Sequence, residues 1–484
     1  IRDVERSRGL GDVYKRQVLL FVISFFCVRH WFTIQSENLW ASTKESLSSK
    51  GVSFNLKDII PAKVLDRENF ALADFFGAEN QEFLKKPSFK NDAQKLVFEY
   101  DNLPNFIDLK IIQQSFRDEG LDIWNQPEVQ GEASDDVSKA IEKYADDILL
   151  LEQTIQERPQ YNCNLNYGSD GLVIKAWIEH TGSLRVQMNA QWWLVLRSYV
   201  LLEQGKSALA LRDIKNALFL AECLKDDPRI ISQLCRSRML QAVISPIWQG
   251  IAKLQWNEKE LQELEGVFSD INLLPGMSRA IDFERHNLNH IHDRLRQLVQ
   301  KDNREYRASL ISFGVPLNAF KSLSRFYVSP DAFIDRSQVH SNKFYHEYLF
   351  DLIDLKTGRI FYDKIAHLDQ YFEGDKDNPF NLILAITMPS FSSAVKSVGT
   401  VQVMIHHAQM ACAIEWYKLD KGYYPEKIDD LEKEFPNDIF GGSSYGYTKV
   451  KTGRYHVTGK GLSESVEKEK DKTNKSAGGL VWKY

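Results

Sequence analysis

The sequence predicts a mainly α-helical protein with an N-terminal membrane anchor, a helical-hairpin body, and a C-terminal long helix followed by a small antiparallel β-sheet. Three observations predict it. A sharply apolar run begins at Val18, and apolar residues recur at spacings of three and four between residues 137 and 300. A long helical pattern covers residues 390 to 420, and the small sheet after it is what a resemblance in the last hundred residues implies. Recurrence at three and four puts side chains on one helix face, whereas a strand face repeats every second residue.

Composition sets the bounds. A chain of 484 residues can hold two or three domains, each with its own core. With 43% apolar and 26% charged residues it is an ordinary globular composition, which excludes wholesale disorder. Lys+Arg 61 against Asp+Glu 66 leaves a net charge of -5, so the basic face a nucleic acid needs is missing and no nucleic acid is expected. The five cysteines (Cys27, Cys163, Cys223, Cys235 and Cys412) are too scattered for a disulfide framework, and no C-x-x-C pair offers a zinc or redox site. Cys223 and Cys235 are the one pair that could bridge, and they read as small core residues on helices. Neither G-x-x-x-x-G-K-[S/T] nor G-x-G-x-x-G occurs, so no nucleotide is expected either.

Residues 1–17 resemble the conceptual translation of a sequencing adapter and are set aside as an artefactual prefix. Residues 18–32 read as a truncated transmembrane anchor. The apolar run Val18 to Val28 has eleven residues where a span needs about 20, a shortfall the prefix would explain. Arg29, His30 and Trp31 supply no small residues for signal cleavage, and Phe25 and Phe26 occupy the places where a lipidated Cys27 would need them. Trp31 and Phe32 fit an interfacial aromatic belt. The expectation is an uncleaved, single-pass protein of a bacterial inner membrane with its body outside the cytoplasm.

Residues 33–135 carry no sustained period. They predict a short helix after the membrane, an extended segment around Asn69, Phe70 and Ala71 packed on the body, and a loop over 116 to 135 containing Gly120, Pro127 and Gly131. Asp135 or Asp136 is placed to cap the next helix. Residues 136–385 predict a helical domain. One helix covers 137 to 157, with Val137, Ile141, Tyr144, Ile148, Leu151 and Ile155 as its stripe. A second runs from Ser183 to Gln204 and stops at Gly205, and a third ends before Pro228. Others cover 229 to 254, 257 to 272 and 277 to 300. Trp193 to Leu220 resembles one tetratricopeptide hairpin, but no second copy follows at a 34-residue period, so it reads as a generic hairpin. Residues 301 to 385 are broken by Pro316 and Pro330 and rich in aromatics such as Phe313, Phe320 and Phe326, which read as core packing. Asp354 to Arg359 reads as a turn.

Residues 386–484 predict an α+β module. Ala394, Val398, Val401, Ile405, Ala408 and Cys412 recur at 4, 3, 4, 3, 4, a seam for a partner helix or sheet. The helix then runs into Tyr417-Lys418-Leu419-Asp420-Lys421-Gly422-Tyr423-Tyr424-Pro425. This passage resembles the end of the long helix in the pseudopilins of bacterial type II secretion. Ile428 and Leu431 resemble the short helix after it. Asp438 to Gly441 with Tyr445 and Tyr447, then Tyr455 to Val457, and Gly479 to Trp482 resemble the small sheet. The resemblance covers about a fifth of the chain and implies a fold used for packing or partner contact. The leader-peptidase site of that family is missing before the helix, Phe380 to Met388 is too short for its membrane stem, and the Lys- and Glu-rich 464 to 476 loop lacks the family's Asp-rich calcium pattern. Anchor, Asn69-Phe70-Ala71 segment, helical body and this ending together resemble a class of uncharacterised bacterial envelope proteins, which implies a topology and no chemistry.

Catalytic motifs occur only as fragments. Ser393-Ala394-Val395-Lys396 and Lys451-Thr452-Gly453 match two signatures of penicillin-binding enzymes, but the third is missing between them. Gly442 to Gly446 matches G-x-S-x-G without the strand before and helix after that a nucleophile elbow needs. The best metal candidates are His286 and His290, four apart on one helix face with Glu284 nearby; His292 points elsewhere on that helix, and His346-Glu347 or His406-His407 could join from afar. No catalytic residue and no cofactor is expected. The sequence therefore points to a non-enzymatic interaction or scaffold protein of the cell envelope, with a protein partner at the C-terminal module. The alternatives are an exported metal-dependent hydrolase and an accessory component of a secretion or pilus-like system.

Overall fold

The apolar run does form a helix, and one far longer than its eleven residues. In the computed structural model α1 spans Arg2–Ser49 without a break, 48 residues or about 72 Å at ~1.5 Å per residue. The structure describes residues 2–76, 82–84, 107–162, 173–301, 330–374, 380, 384, 391–450, 454–459 and 481–483. The chain divides into two units. The first holds Ile1–Asp58, Ile281–Leu352 and Asp363–Ser393; the second holds Ile59–Ala280, Ile353–Tyr362 and Ala394–Tyr484.

In the first unit α1 is exposed through Val18 to Phe32 apart from a half-buried Arg29, and over Val13–Ser49 it is long and apolar enough to cross a membrane. The short helix expected after the anchor is instead the continuation of α1. Its buried or half-buried positions there, Ser36, Trp40, Thr43 and Leu47, fall at spacings of 4, 3, 4. That narrow seam packs on α10 (Pro330–Phe344). It escaped the hydropathy reading because two of its four residues, Ser36 and Thr43, are hydroxyl-bearing; Ser36 closes its hydroxyl onto the Phe32 carbonyl at 2.9 Å. α10 starts at Pro330, where a missing N–H costs nothing. α11 (Tyr362–Gly374) brings Tyr371 to Phe344 and Tyr348, with ring centres 5.0 Å apart in each pair. Phe313, Phe320 and Phe326 lie outside the described residues.

The second unit is built on an antiparallel hairpin of α5 (Val173–Glu203) and α6 (Ser207–Glu222), on which α7 (Ile230–Ala252) packs. Gly205, at φ +70°, turns the chain between them. α8 (Glu258–Ser269) follows, started by Asn257, which forms a reciprocal capping box with Glu260. α9 (Leu274–Lys301) belongs to this unit as far as Ala280. Before the hairpin come α2 (Leu109–Glu119), α3 (Ala133–Glu142) and α4 (Ala145–Glu157). The single helix expected over 137 to 157 is thus two. The break falls at Tyr144 (φ -112°, ψ 21°), which is buried against Trp193 at 4.8 Å and Phe83 at 5.6 Å between ring centres. Val137, Ile141, Tyr144, Ile148 and Leu151 are nonetheless all buried, so the stripe survives the break. Nor does Asp136 cap its own helix: its carboxylate accepts from Gly131 N at 2.9 Å and Gln113 Nε2 at 2.7 Å.

The hairpin is stitched to α4 by charge. Arg197 donates to both Asp213 oxygens and to Glu152, at 2.9 Å for the latter. Burial raises the Asp213 carboxyl above its ordinary value, and Arg197 opposes part of that lift, which is the arrangement a buried ion needs.

Ile353–Asp354 (β1) and Arg359–Ile360 (β2) form a two-residue hairpin, whose turn is closed by Asp354 accepting from Lys356 N at 2.9 Å and Thr357 Oγ1 at 2.6 Å. α12 (Phe391–Lys421) is the long C-terminal helix. The seam Ala394 to Cys412 is buried, but so are Val403, Met404, Met410, Ala411, Ala413 and Ile414, so the helix is enclosed on more than the one face its spacing predicts. After it, a 3-10 turn (Ile428–Leu431) leads to β3 (Gly446–Lys449), β4 (Tyr455–Thr458) and β5 (Val481–Lys483), antiparallel in the order β3-β4-β5. Asp438 to Gly441, expected with the strands, is a turn, and Ile439 O accepts from Ile360 N at 2.8 Å.

Candidate functional site

Of the two predicted metal ligands, His286 is engaged by its own neighbours. The His286 Nε2 lies 2.9 Å from the Arg285 guanidinium and 3.1 Å from the Ser53 carbonyl, within the first unit. Burial first and the Arg285 charge second hold its pKa below the ordinary imidazole value. A cation here would face the guanidinium at contact distance. His290 is half-buried on the same helix, and His292 is fully buried with its Nδ1 on the Leu288 carbonyl at 2.7 Å. Among the described residues no group of three His, Cys, Asp or Glu could hold a metal ion.

What α9 does instead is pair with α10 through a polar ladder. Arg285 Nη1 donates to Asn342 Oδ1 at 3.1 Å, Asn342 Nδ2 to Asn289 Oδ1 at 2.6 Å, and Gln338 Nε2 to Asn289 Oδ1 at 3.2 Å. Arg296 Nη2 closes it on Asp335 at 2.6 Å and Gln338 at 2.8 Å. Positions rise along α9 as they fall along α10, so the helices run antiparallel. Buried amides of this kind fix register at some expense of stability.

The enzyme-like fragments resolve into ordinary structure. Ser393 is exposed on α12, and the Lys396 ammonium lies 5.2 Å from the centre of the Tyr362 ring. Lys451, Thr452 and Gly453 lie outside the described residues, as does the 464 to 476 loop. In Gly442 to Gly446 a turn leads into β3, the reverse of a strand-to-helix elbow.

His406 and His407 form a second buried node, in the second unit. Gln402 orients it: its Oε1 accepts from Leu273 N at 2.7 Å, and its amide donates to Ile271 O at 3.1 Å and to His406 Nε2 at 2.8 Å. With Nε2 accepting, His406 Nδ1 carries the proton and meets Tyr445 Oη at 2.9 Å. Burial lowers the His406 pKa to about 4 and that of His407 to about 3, so both rings are neutral near pH 7.

A cavity of about 200 Å³ opens between α8, α12 and the turn after it, lined by Leu261, Gln262, Glu265, Cys412, Ala413, Trp416, Leu431 and Lys433. Glu265 is buried; its Oε1 accepts from Gln409 Nε2 at 2.8 Å and its Oε2 pairs with Lys433. Trp416 Nε1 donates to Glu258 at 3.0 Å, which fixes the indole. The Cys412 thiol is pushed up by burial, with Glu265 and Glu415 adding to the shift, so it stays protonated and unreactive. Sequence reasoning missed Glu265, Gln409 and Lys433. The first two are 144 residues apart and no local spacing signals their meeting. No family model, curated protein or solved structure matches the chain.

Proposed function

We propose that this chain is a non-enzymatic, single-pass envelope protein of a bacterial inner membrane, with its body on the extracytoplasmic side and a protein partner at its C-terminal module. The observation that carries the reading is the change along α1. Its side chains are exposed and almost all apolar from Val18 to Val28, and from Ser36 onward one seam is buried against α10. A soluble protein has no use for an exposed stretch such as Val18-Leu19-Leu20-Phe21-Val22-Ile23, whereas a bilayer core about 30 Å thick takes it at a gain. At the exit, the Arg336 guanidinium sits 5.5 Å from the Phe32 ring centre and its Nε reaches Ser36 Oγ at 3.3 Å. A cation on an interfacial aromatic is a usual companion of lipid headgroups.

The test is extraction of membranes with alkaline carbonate, combined with protease added outside spheroplasts. The full chain is expected to stay with the membrane and its body to be digested, while a variant lacking residues 18–32 is soluble. Release of the intact chain by carbonate would count against the anchor, and protection of the body against the orientation.

A secretion-accessory role is a second reading. Its support is the order of parts after α12: a left-handed Gly422 (φ +83°), Tyr424-Pro425, a 3-10 turn and an antiparallel meander. Co-purification with pseudopilin assemblies is expected on this reading, and isolation free of them would remove it.

A further inference from the structure

We propose that the cavity between α8 and α12 is a binding site for a small organic ammonium ion with an apolar body, which enters by displacing the Lys433 ammonium from Glu265. This goes beyond the membrane reading and does not depend on it.

Glu265 is the starting point. It is buried, and Gln409 holds its Oε1 at 2.8 Å, so the carboxylate cannot swing out to water without giving up that bond. A buried carboxylate needs a cation. The one it has among the described residues comes from outside: Lys433 follows Glu432, which stands at φ 49°, in a segment without regular structure, and the lysine side chain is 45% exposed. Because Lys433 is so exposed, returning its ammonium to water costs little. The lysine thus acts as a built-in competitor at the Glu265 oxygen.

The other walls say what kind of cation fits. Leu261, Leu431, Ala413 and Cys412 are apolar and buried, and the indole of Trp416 is pinned by its bond to Glu258. An aromatic face beside a carboxylate favours a cation that carries an apolar group. A volume of 200 Å³ equals about seven waters at ~30 Å³ each, below the ~300 Å³ where drug-sized pockets begin. Nucleotides and lipid chains are therefore too large, and an anion would face Glu265. A primary amine the size of benzylamine fits.

The experiment titrates benzylamine into the full chain in detergent micelles by calorimetry, against empty micelles, with benzyl alcohol and benzoate as isosteric controls. Saturable one-to-one binding of the amine alone is expected. Lys433→Met should tighten it at least about threefold, because the competitor is gone, and Glu265→Gln should weaken it by about tenfold or more. Binding of the alcohol as tightly as the amine would overturn the proposal, as would no binding in both wild type and Lys433→Met. If Glu265→Gln fails to fold, Lys433→Met decides: an affinity equal to the wild type would overturn the competitor role and the proposal with it.

Discussion

Asn69 is completely buried, and its side chain does what a neighbouring strand would do. Oδ1 accepts from Asn162 N at 3.0 Å and from Ala71 N at 3.1 Å, while Nδ2 donates to Asn162 O at 2.6 Å. Phe70 N then reaches Gln160 O at 2.7 Å. Asn69→Ala would remove both bonds to the Asn162 backbone, at ~1–3 kcal/mol for each buried group left without a partner. The expected result is a lower thermal midpoint and early protease cleavage within residues 59 to 76; cleavage no faster than in the wild type would show that other contacts hold the segment. Two further residues set an acid limit. His406 and His407 have folded pKa values of about 4 and about 3, below the ~6.5 of an unfolded imidazole. The unfolded chain therefore binds more protons between those values, and stability falls as pH drops from ~6.5 towards 4. Each ring contributes on the order of 3 kcal/mol to that loss. His407→Phe should flatten the fall measured by denaturant midpoints at pH 7 and 5, and an unchanged slope would mean that the ring titrates normally.

At the level of elements, α12 is held to the turn at Asp438–Gly441 and to the β1–β2 hairpin by a point of close approach at Gly399. A Cβ there would meet Phe440 Cζ at 2.6 Å and Ile360 Cδ1 at 2.7 Å, so the glycine trades helix propensity for contact. Gly399→Ala regains about 1 kcal/mol of propensity, which offsets part of the clash, whereas Gly399→Val adds bulk with no such return. Valine should therefore cost ~1–3 kcal/mol in denaturant unfolding, and a neutral result would show that Phe440 can move aside. The same scale explains two expectations that changed. Aromatic packing around Tyr144 breaks a helix that the local sequence leaves continuous, and the seam of α1 on α10 is half hydroxyl, which hydropathy counts as surface.

For the whole molecule, membrane insertion predicts a pattern of thiol reactivity. Cys27 is exposed on α1, whereas Cys223 and Cys412 are buried. In intact membranes a membrane-impermeant maleimide should spare all three, and after denaturation in detergent and urea it should label them all. Labelling of Cys27 in intact membranes would place that stretch of α1 in water, against the anchor. Cys235, which is partly exposed, and Cys163, which lies outside the described residues, are best replaced by serine in this experiment.

Where a feature depends on spacing along the chain, the sequence by itself determined it. The helical body, the turn at Gly205, the turn at Asp354–Arg359 and the long helix over 390 to 420 all follow from period and punctuation, which are local, whereas the sheet after that helix was expected only from the resemblance. The exposed apolar stretch of α1 is local too. Where a feature depends on which distant residues meet, only the tertiary structure decided it. His286 and His290 share a helix face in sequence, yet the fold spends His286 on Arg285 and Ser53, 233 residues away in the latter case. Glu265, Gln409 and Lys433 carry no pattern at all until α8 and α12 bring them together. Helix period reports which face is buried, and says nothing of what it is buried against.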